Sequence, residues 1–282
     1  MPAPQASQMK MLAKNNFKSH KIKLAVNWSQ PTGEAGKQYV DAFPENERNV
    51  PDTSNGLFIP ASTNKYHVDQ CKTIGKDFED FIDGICDCIC SAWQQWMAAA
   101  TFTNVIINGP VGIIAPSSLK GPPFFPMSFA TSPKIKPTMT KYSKAITNAI
   151  GTAWTAWATG FMGKVNYPPT FATCPMPAHV PTPNIPATIK MTGSSPGEAM
   201  LDANVLKMAM IAELGDPTAM HHQELFDAIA KAFKSMFDQW VQSTMVNNVL
   251  GIGPVPTFAP PFVPVGPVVV GMGNGVPGSV LA

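Results

Sequence analysis

The residues best suited to chemistry in this chain are one histidine and three cysteines at helical spacing. His67 and Cys71 stand four apart, and so do Cys86 and Cys90. Each pair can share one helix face, and imidazole with thiolate is a zinc-type ligand set. The Cys-x2-Cys knuckles of common zinc sites are missing. Cys86, Cys88 and Cys90 read equally well as small buried apolar residues. A second cluster, His221-His222 beside Glu224, opens a helical pattern, but acid–base or metal work there needs a partner from elsewhere in the chain. The remaining histidines, His20, His67 and His179, stand in no recognisable motif. Gly271, Gly273, Gly275 and Gly278 form a loose glycine run without the flanking strand and helix of a phosphate-binding loop, so close backbone packing is expected there. No GxSxG, HExxH, P-loop or kinase signature occurs. The expectation is a chain with no catalytic residues, no cofactor and no resident metal.

The elements that would position these residues repeat three times. Each copy is a helix-period apolar stripe ending in two aromatics three residues apart: Trp93 and Trp96, Trp154 and Trp157, Phe237 and Trp240. Steps of four back from the first member of each pair give Ile89, Ile85 and Phe81, then Ile150, Ile146 and Tyr142, then Phe233, Ile229 and Leu225. Residues three and four apart share a helix face, so each stripe makes one seam, and three similar seams are expected to pack together or on equivalent places of a symmetric partner. Spacings of 61 and 83 residues between the pairs argue against a solenoid. The first helix is expected from Tyr66 to about Asn104, stopped by Gly109-Pro110, and the second from about Thr140 to Met162. A helix with Ser195 as N-cap, Pro196 first and Glu198 completing a capping box should end at Gly215. Asp216 and Pro217 then cap the third long helix, to about Val249.

Proline-rich apolar strips follow the helices: PVGIIAP from Pro110, PPTFATCP from Pro168 and PVPTFAP from Pro254. They read as extended, polyproline-like or irregular segments lying across other surfaces. The fold class is therefore mainly α: three related long helices, each followed by an extended Pro/Gly-rich apolar segment, plus an extended N-terminal arm. The units are a basic arm over 1–65, a first repeat over 66–137, a second over 138–193, and an extra helix, third repeat and apolar tail over 194–282.

Composition sets the limits. With 29 prolines, 45% apolar residues and only 13% charged residues in 282, the chain is neither disordered nor an ordinary compact monomer. Something must cover its apolar surface. The net charge of +2 conceals Lys10, Lys14, Lys18, Lys21 and Lys23, all ahead of the first acid, Glu34. These read as a solvated arm or as a contact for nucleic acid or another acidic partner. No secretory signal is visible, so folding in a cytoplasm with reduced thiols is expected. The uncharged stretch from Cys88 to Ile107 has bilayer length, but Gln94, Gln95 and Asn104 interrupt it and the two related helices carry lysines, so no membrane span is expected.

The WQQW, WTAW and FDQW steps, with the three strips quoted above, resemble in style the small structural proteins that decorate or join parts of tailed-bacteriophage virions and related contractile injection machines. The resemblance covers about half of the chain from Phe81 onward. It implies a non-enzymatic subunit, located in a virion, that meets other subunits of a symmetric assembly and its own copies. The expected contact residues are Trp93, Trp96, Trp154, Trp157, Phe237 and Trp240 in the seams, with Pro110, Pro169, Pro254 and Phe258 in the strips. Two other classes stand beside it: a membrane-associated assembly component, and a metal-binding or redox module built on Cys71, Cys86 and Cys90.

Overall fold

Five helices of more than ten residues carry the architecture in a computed structural model that describes residues 3–51, 55–124, 132–167, 186–253, 258–259, 263–264 and 270–282. They are α1 (Ala6–Ser19), α2 (Lys65–Ala99), α3 (Thr140–Gly160), α4 (Ala203–Leu214) and α5 (His222–Ser243). The protein is mainly helical with some strands. The predicted stripes all face inward: every residue from Phe81 to Trp96, Tyr142 to Trp157 and Leu225 to Trp240 named above is buried. One hydrophobic cluster runs through all of them and through the chain ends, so the four expected units share a single core rather than standing apart.

The expected extended arm is a correction. Residues 6–19 form α1, because Met9, Ala13 and Phe17, four apart, make an apolar stripe that lies against α2 and α5 and is fully buried. The lysines around that stripe are spent on ion pairs with α2: Lys10 Nζ lies 2.5 Å from Asp87 and Lys14 Nζ 2.8 Å from Asp83. Lys18 donates to the carbonyl of Asn55. The same acidic row on α2 takes Lys134 on Asp87 and Lys136 on Asp77, which fastens residues 132–136 along the helix. Further on, Lys23–Leu24 pairs in parallel with Ile59–Pro60, and short helices cover Gly33–Asp41 and Glu45–Arg48.

Helix ends also moved. Helix α2 starts on Asn64, whose side chain accepts the Tyr66 N–H, and stops at Ala99 rather than Asn104. Gly109-Pro110 does not end it. These two residues are instead the tight turn of a hairpin between β1 (Val105–Asn108) and β2 (Val111–Ile114), with Gly109 at a left-handed φ of 58°, where a β-carbon is strained. Ser195 caps a 3-10 helix, Pro196–Leu201, by accepting the Gly197 N–H; Asp202 then restarts the chain as α4, which Gly215 closes at φ 60°. Glu198 completes no capping box and pairs with Lys190. Asp216 caps a turn through Thr218, and α5 begins five residues later than expected.

The second correction concerns the strips. β1 and β2 join β3 (Met162–Asn166), β4 (Gly193–Ser194), β5 (Val249–Ile252) and β6 (Gly271–Gly275) in an antiparallel sheet of order β5-β6-β1-β2-β3-β4. The glycine run is thus a strand, β6. Added β-carbons at Gly251 and Gly273 would run into Ile107, so the strands approach closely there. Val105, Ile107, Ile114, Val165 and Val249 point into the core from this sheet, and the chain end returns so that Leu281 bridges to Val246. Within the first strip Gly112 and Ile114 are sheltered by the chain itself while Ile113 stays exposed, because alternating residues of a strand bury one face of a sheet. Pro110 is exposed, and its carbonyl accepts the Tyr167 N–H at 2.7 Å. The expected contacts Pro169 and Pro254, with most of the strips around them, lie outside the described residues. The backbone of Phe258–Ala259 pairs antiparallel with Val263–Pro264.

Candidate functional site

The three aromatic steps converge. Trp93 lies edge-to-face on Trp154 at 4.8 Å and on Trp240 at 5.4 Å; Trp96 meets Trp154 at 5.0 Å, and Trp157 meets Phe237 at 5.3 Å. Phe124 stacks on Trp154 from the first strip. All six predicted seam residues therefore belong to one packed cluster at the ends of α2, α3 and α5. Such ring pairs add about 0.5–1.5 kcal/mol each beyond their area burial. The indole nitrogens of Trp93, Trp154 and Trp240 are buried without a hydrogen-bond acceptor among the described residues, so neighbouring rings surround them. This cluster holds the fold; it offers no room for chemistry.

The open site lies at the other end of α5. A cleft of about 700 Å³ is bounded by Leu24 and Val26 beyond the first short strand, by Tyr66, His67, Gln70 and Ile74 on the first turns of α2, and by Met220 to Glu224 at the head of α5. The two histidine clusters that stood apart in the sequence meet here. His67 Nδ1 lies 2.7 Å from the hydroxyl of Ser62, and its ring meets Trp28 edge-to-face at 4.6 Å. Tyr66 stands beyond it, 62% exposed, and Trp28 continues through Tyr39 to Phe43, so a ladder of five rings borders the cleft.

His221 is the N-cap of α5, at a left-handed φ of 50° uncommon for a side chain with a β-carbon. Its ring sits 5.1 Å from Phe58 and 5.9 Å from Phe78. Burial pushes this imidazole below its ordinary value, against the opposing charge of Glu224, and so keeps it neutral at pH 7. His222 donates from Nδ1 to the carbonyl of Ala219 at 2.6 Å, which fixes its tautomer when neutral. Both histidines therefore serve the turn that opens the helix. Among the described residues Glu224 is the one carboxylate lining the cleft, and no Lys or Arg lines it.

The cysteines lie elsewhere. Cys71, Cys86, Cys88 and Cys90 are buried, and Cys90 Sγ sits 3.7 Å from Met9 Sδ under α1. Burial, with Asp87 adding and Lys10 opposing, pushes the Cys90 thiol up to about 12; burial and the neighbouring Cys90 push Cys86 well above its usual range. A thiol held protonated is a poor nucleophile and a poor metal ligand. His67 faces the cleft while Cys86 and Cys90 face the core. Among the described residues no group of three His, Cys, Asp or Glu side chains is placed to hold a metal ion. No helix among them is long and apolar enough to cross a membrane.

One polar centre escaped the sequence reading. Asp227, on the inner side of α5, receives Lys231 at 2.7 Å, His20 at 3.1 Å and Lys207 at 3.5 Å, and so ties α1 and α4 to α5. Burial pushes its carboxyl up, but the Lys231 hydrogen bond and the charges of Lys207, Lys231 and His20 outweigh that and hold it below the ordinary value. A lone acid inside the run Leu225 to Ala230 was the available signal. The cleft itself had none, since its walls come from three distant stretches of chain. Comparisons with protein-family models, curated proteins and solved structures find no match to this chain.

Proposed function

We propose that this protein is a non-enzymatic structural subunit of a large multi-copy assembly, of the kind that decorates or joins parts of a tailed-bacteriophage virion or contractile injection machine, made in the host cytoplasm and residing in the virion. The observation that carries the reading is the outer face of the sheet. Met272 pairs with Ile106, and Ile106 with Ile113, so three apolar side chains form one row across three strands. They are 54%, 45% and 41% exposed, and Val270 beside them is 73% exposed. A contiguous apolar row on a sheet face is costly in water and marks a contact surface. The polar chemistry of the described residues holds helices together: lysines on the acidic row of α2, Lys207, Lys231 and His20 on Asp227, thiols held protonated in the core. With Lys10 and Lys14 paired inside the chain, nucleic acid is the weaker candidate partner.

Sedimentation velocity over a concentration series tests the reading. The full chain is expected to self-associate, and replacing Ile106 and Ile113 together by lysine is expected to weaken that association, with the helical circular dichroism unchanged. A chain that stays monomeric at every concentration overturns it.

A further inference from the structure

The cleft at the head of α5 has walls of a kind suited to one class of occupant. Among the described residues its lining is mainly apolar, with the Tyr66 ring, three imidazoles and one carboxylate, Glu224, and His67 leads outward from it along a ring ladder through Trp28, Tyr39 and Phe43. Exposed amides of Gln70 and Gln223 and the exposed Tyr66 supply a few hydrogen-bond donors. Aromatic walls with sparse donors suit a polyproline-type segment, because that backbone pairs none of its own carbonyls and its rings stack on aromatic faces at low ordering cost. Residues 168–186 of this chain hold seven prolines and no Asp, Glu, Lys or Arg. An uncharged segment loses nothing to desolvation of charge in such a cleft.

Geometry decides whose segment it is. The chain leaves the described structure at Tyr167, whose hydroxyl donates to the Val249 carbonyl, and returns at Ala187, which pairs with Val246; both anchors lie just beyond the C-terminal end of α5. The cleft lies at the opposite end. The 22 residues of α5 span about 33 Å. The 19 intervening residues, 168–186, make 20 steps from Tyr167 to Ala187, about 62 Å at the polyproline rise of about 3.1 Å and about 70 Å at full extension. The round trip of about 66 Å uses that length up before a run of residues can lie in the cleft.

We propose that this cleft is a socket for the proline-rich segment 168–186 of a second copy of the chain. The proposal rests on the assembly reading above and gives that assembly a second, head-to-tail contact distinct from the sheet face. A heterologous contact of this kind generates rings or filaments rather than closed pairs.

The test is fluorescence anisotropy with a labelled synthetic peptide of residues 168–186, its cysteine replaced by serine, titrated onto the full chain carrying the two sheet-face lysines. Saturable binding is expected, weakened at least about tenfold by Tyr66→Ala and by Ile74→Lys, and by replacing the peptide's prolines with alanine. Tyr66 is exposed, so its variant leaves the fold intact, and circular dichroism checks both variants. Absence of binding, equal binding to the cleft variants, or equal binding of the alanine peptide overturns the socket. A chain that self-associates but ignores the peptide overturns the socket alone; a chain monomeric at every concentration removes the second copy as its source and overturns the assembly reading with it.

Discussion

The two ends of α5 sit on the same helix and do opposite things. At its C-terminal end Phe233, Phe237 and Trp240 interlock with Trp93, Trp154 and Trp157, and no charged side chain enters. At its N-terminal end His221, His222 and Glu224 face a cleft open to solvent. The difference comes from what the neighbouring helices bring. Two long helices deliver large rings to the closed end, and rings of that size fill space to interior density. The open end receives mostly aliphatic and polar residues from a loop and the half-exposed first turns of α2, and these leave the space between them and α5 unfilled. One end of the molecule is therefore built for stability and the other for contact.

The contrast breaks most readily at the closed end. Trp154→Ala is expected to cost about 3–5 kcal/mol, read as a lower urea midpoint, because surrounding rings cannot collapse into so large a hole. Ile74→Ala at the cleft should cost about 1 kcal/mol, since that side chain is half-buried beside existing space. Equal losses would remove the distinction between the two ends.

Midway along the helix, Asp227→Asn should cost about 1–3 kcal/mol at pH 7, less than a fully buried pair because Lys231 is half exposed to solvent. The sign with pH follows from its lowered value. The ionised carboxylate contributes stability above the unfolded carboxylate range near 3.9, and that contribution is lost as pH falls through the lower folded value. Wild type and Asp227→Asn should thus differ in urea midpoint at pH 7 and converge towards pH 2.

The smallest effect concerns the thiols, with no change in stability at all. Cys86 and Cys90 should stay unlabelled by iodoacetamide at pH 7.5 in the folded chain and react fully in urea, as mass spectrometry of their peptides would record. Labelling of the folded chain would mean that α1 lifts from α2.

How far the sequence could be read depended on whether the deciding contact was local. The seams were readable because Phe81, Ile85, Ile89 and Trp93 recur at the helix period, and the glycine at 215 because a left-handed helix end favours that residue. Helix α1 reads as an arm because Lys10, Lys14 and Lys18 each stand next to Met9, Ala13 and Phe17 and mask that stripe, although those three alone bury its face. The sheet was missed because prolines and glycines around Val111–Ile114 and Gly271–Gly275 read as irregular chain, whereas Gly109-Pro110 marks a hairpin turn and the glycines let strands approach.

By itself the sequence determined which faces of the long helices turn inward, where several of them begin and stop, and that the chain carries too little charge to cover its apolar surface. Those properties depend on neighbours three or four residues away. Only the tertiary structure decided that the aromatic steps meet in one cluster, that strands far apart in the chain pair in a sheet with an exposed apolar row, and that His67 comes to the head of α5 beside His221. Each of these joins residues tens to hundreds of positions apart, and the energy that selects such a pairing comes from packing the whole chain at once rather than from any short stretch of it.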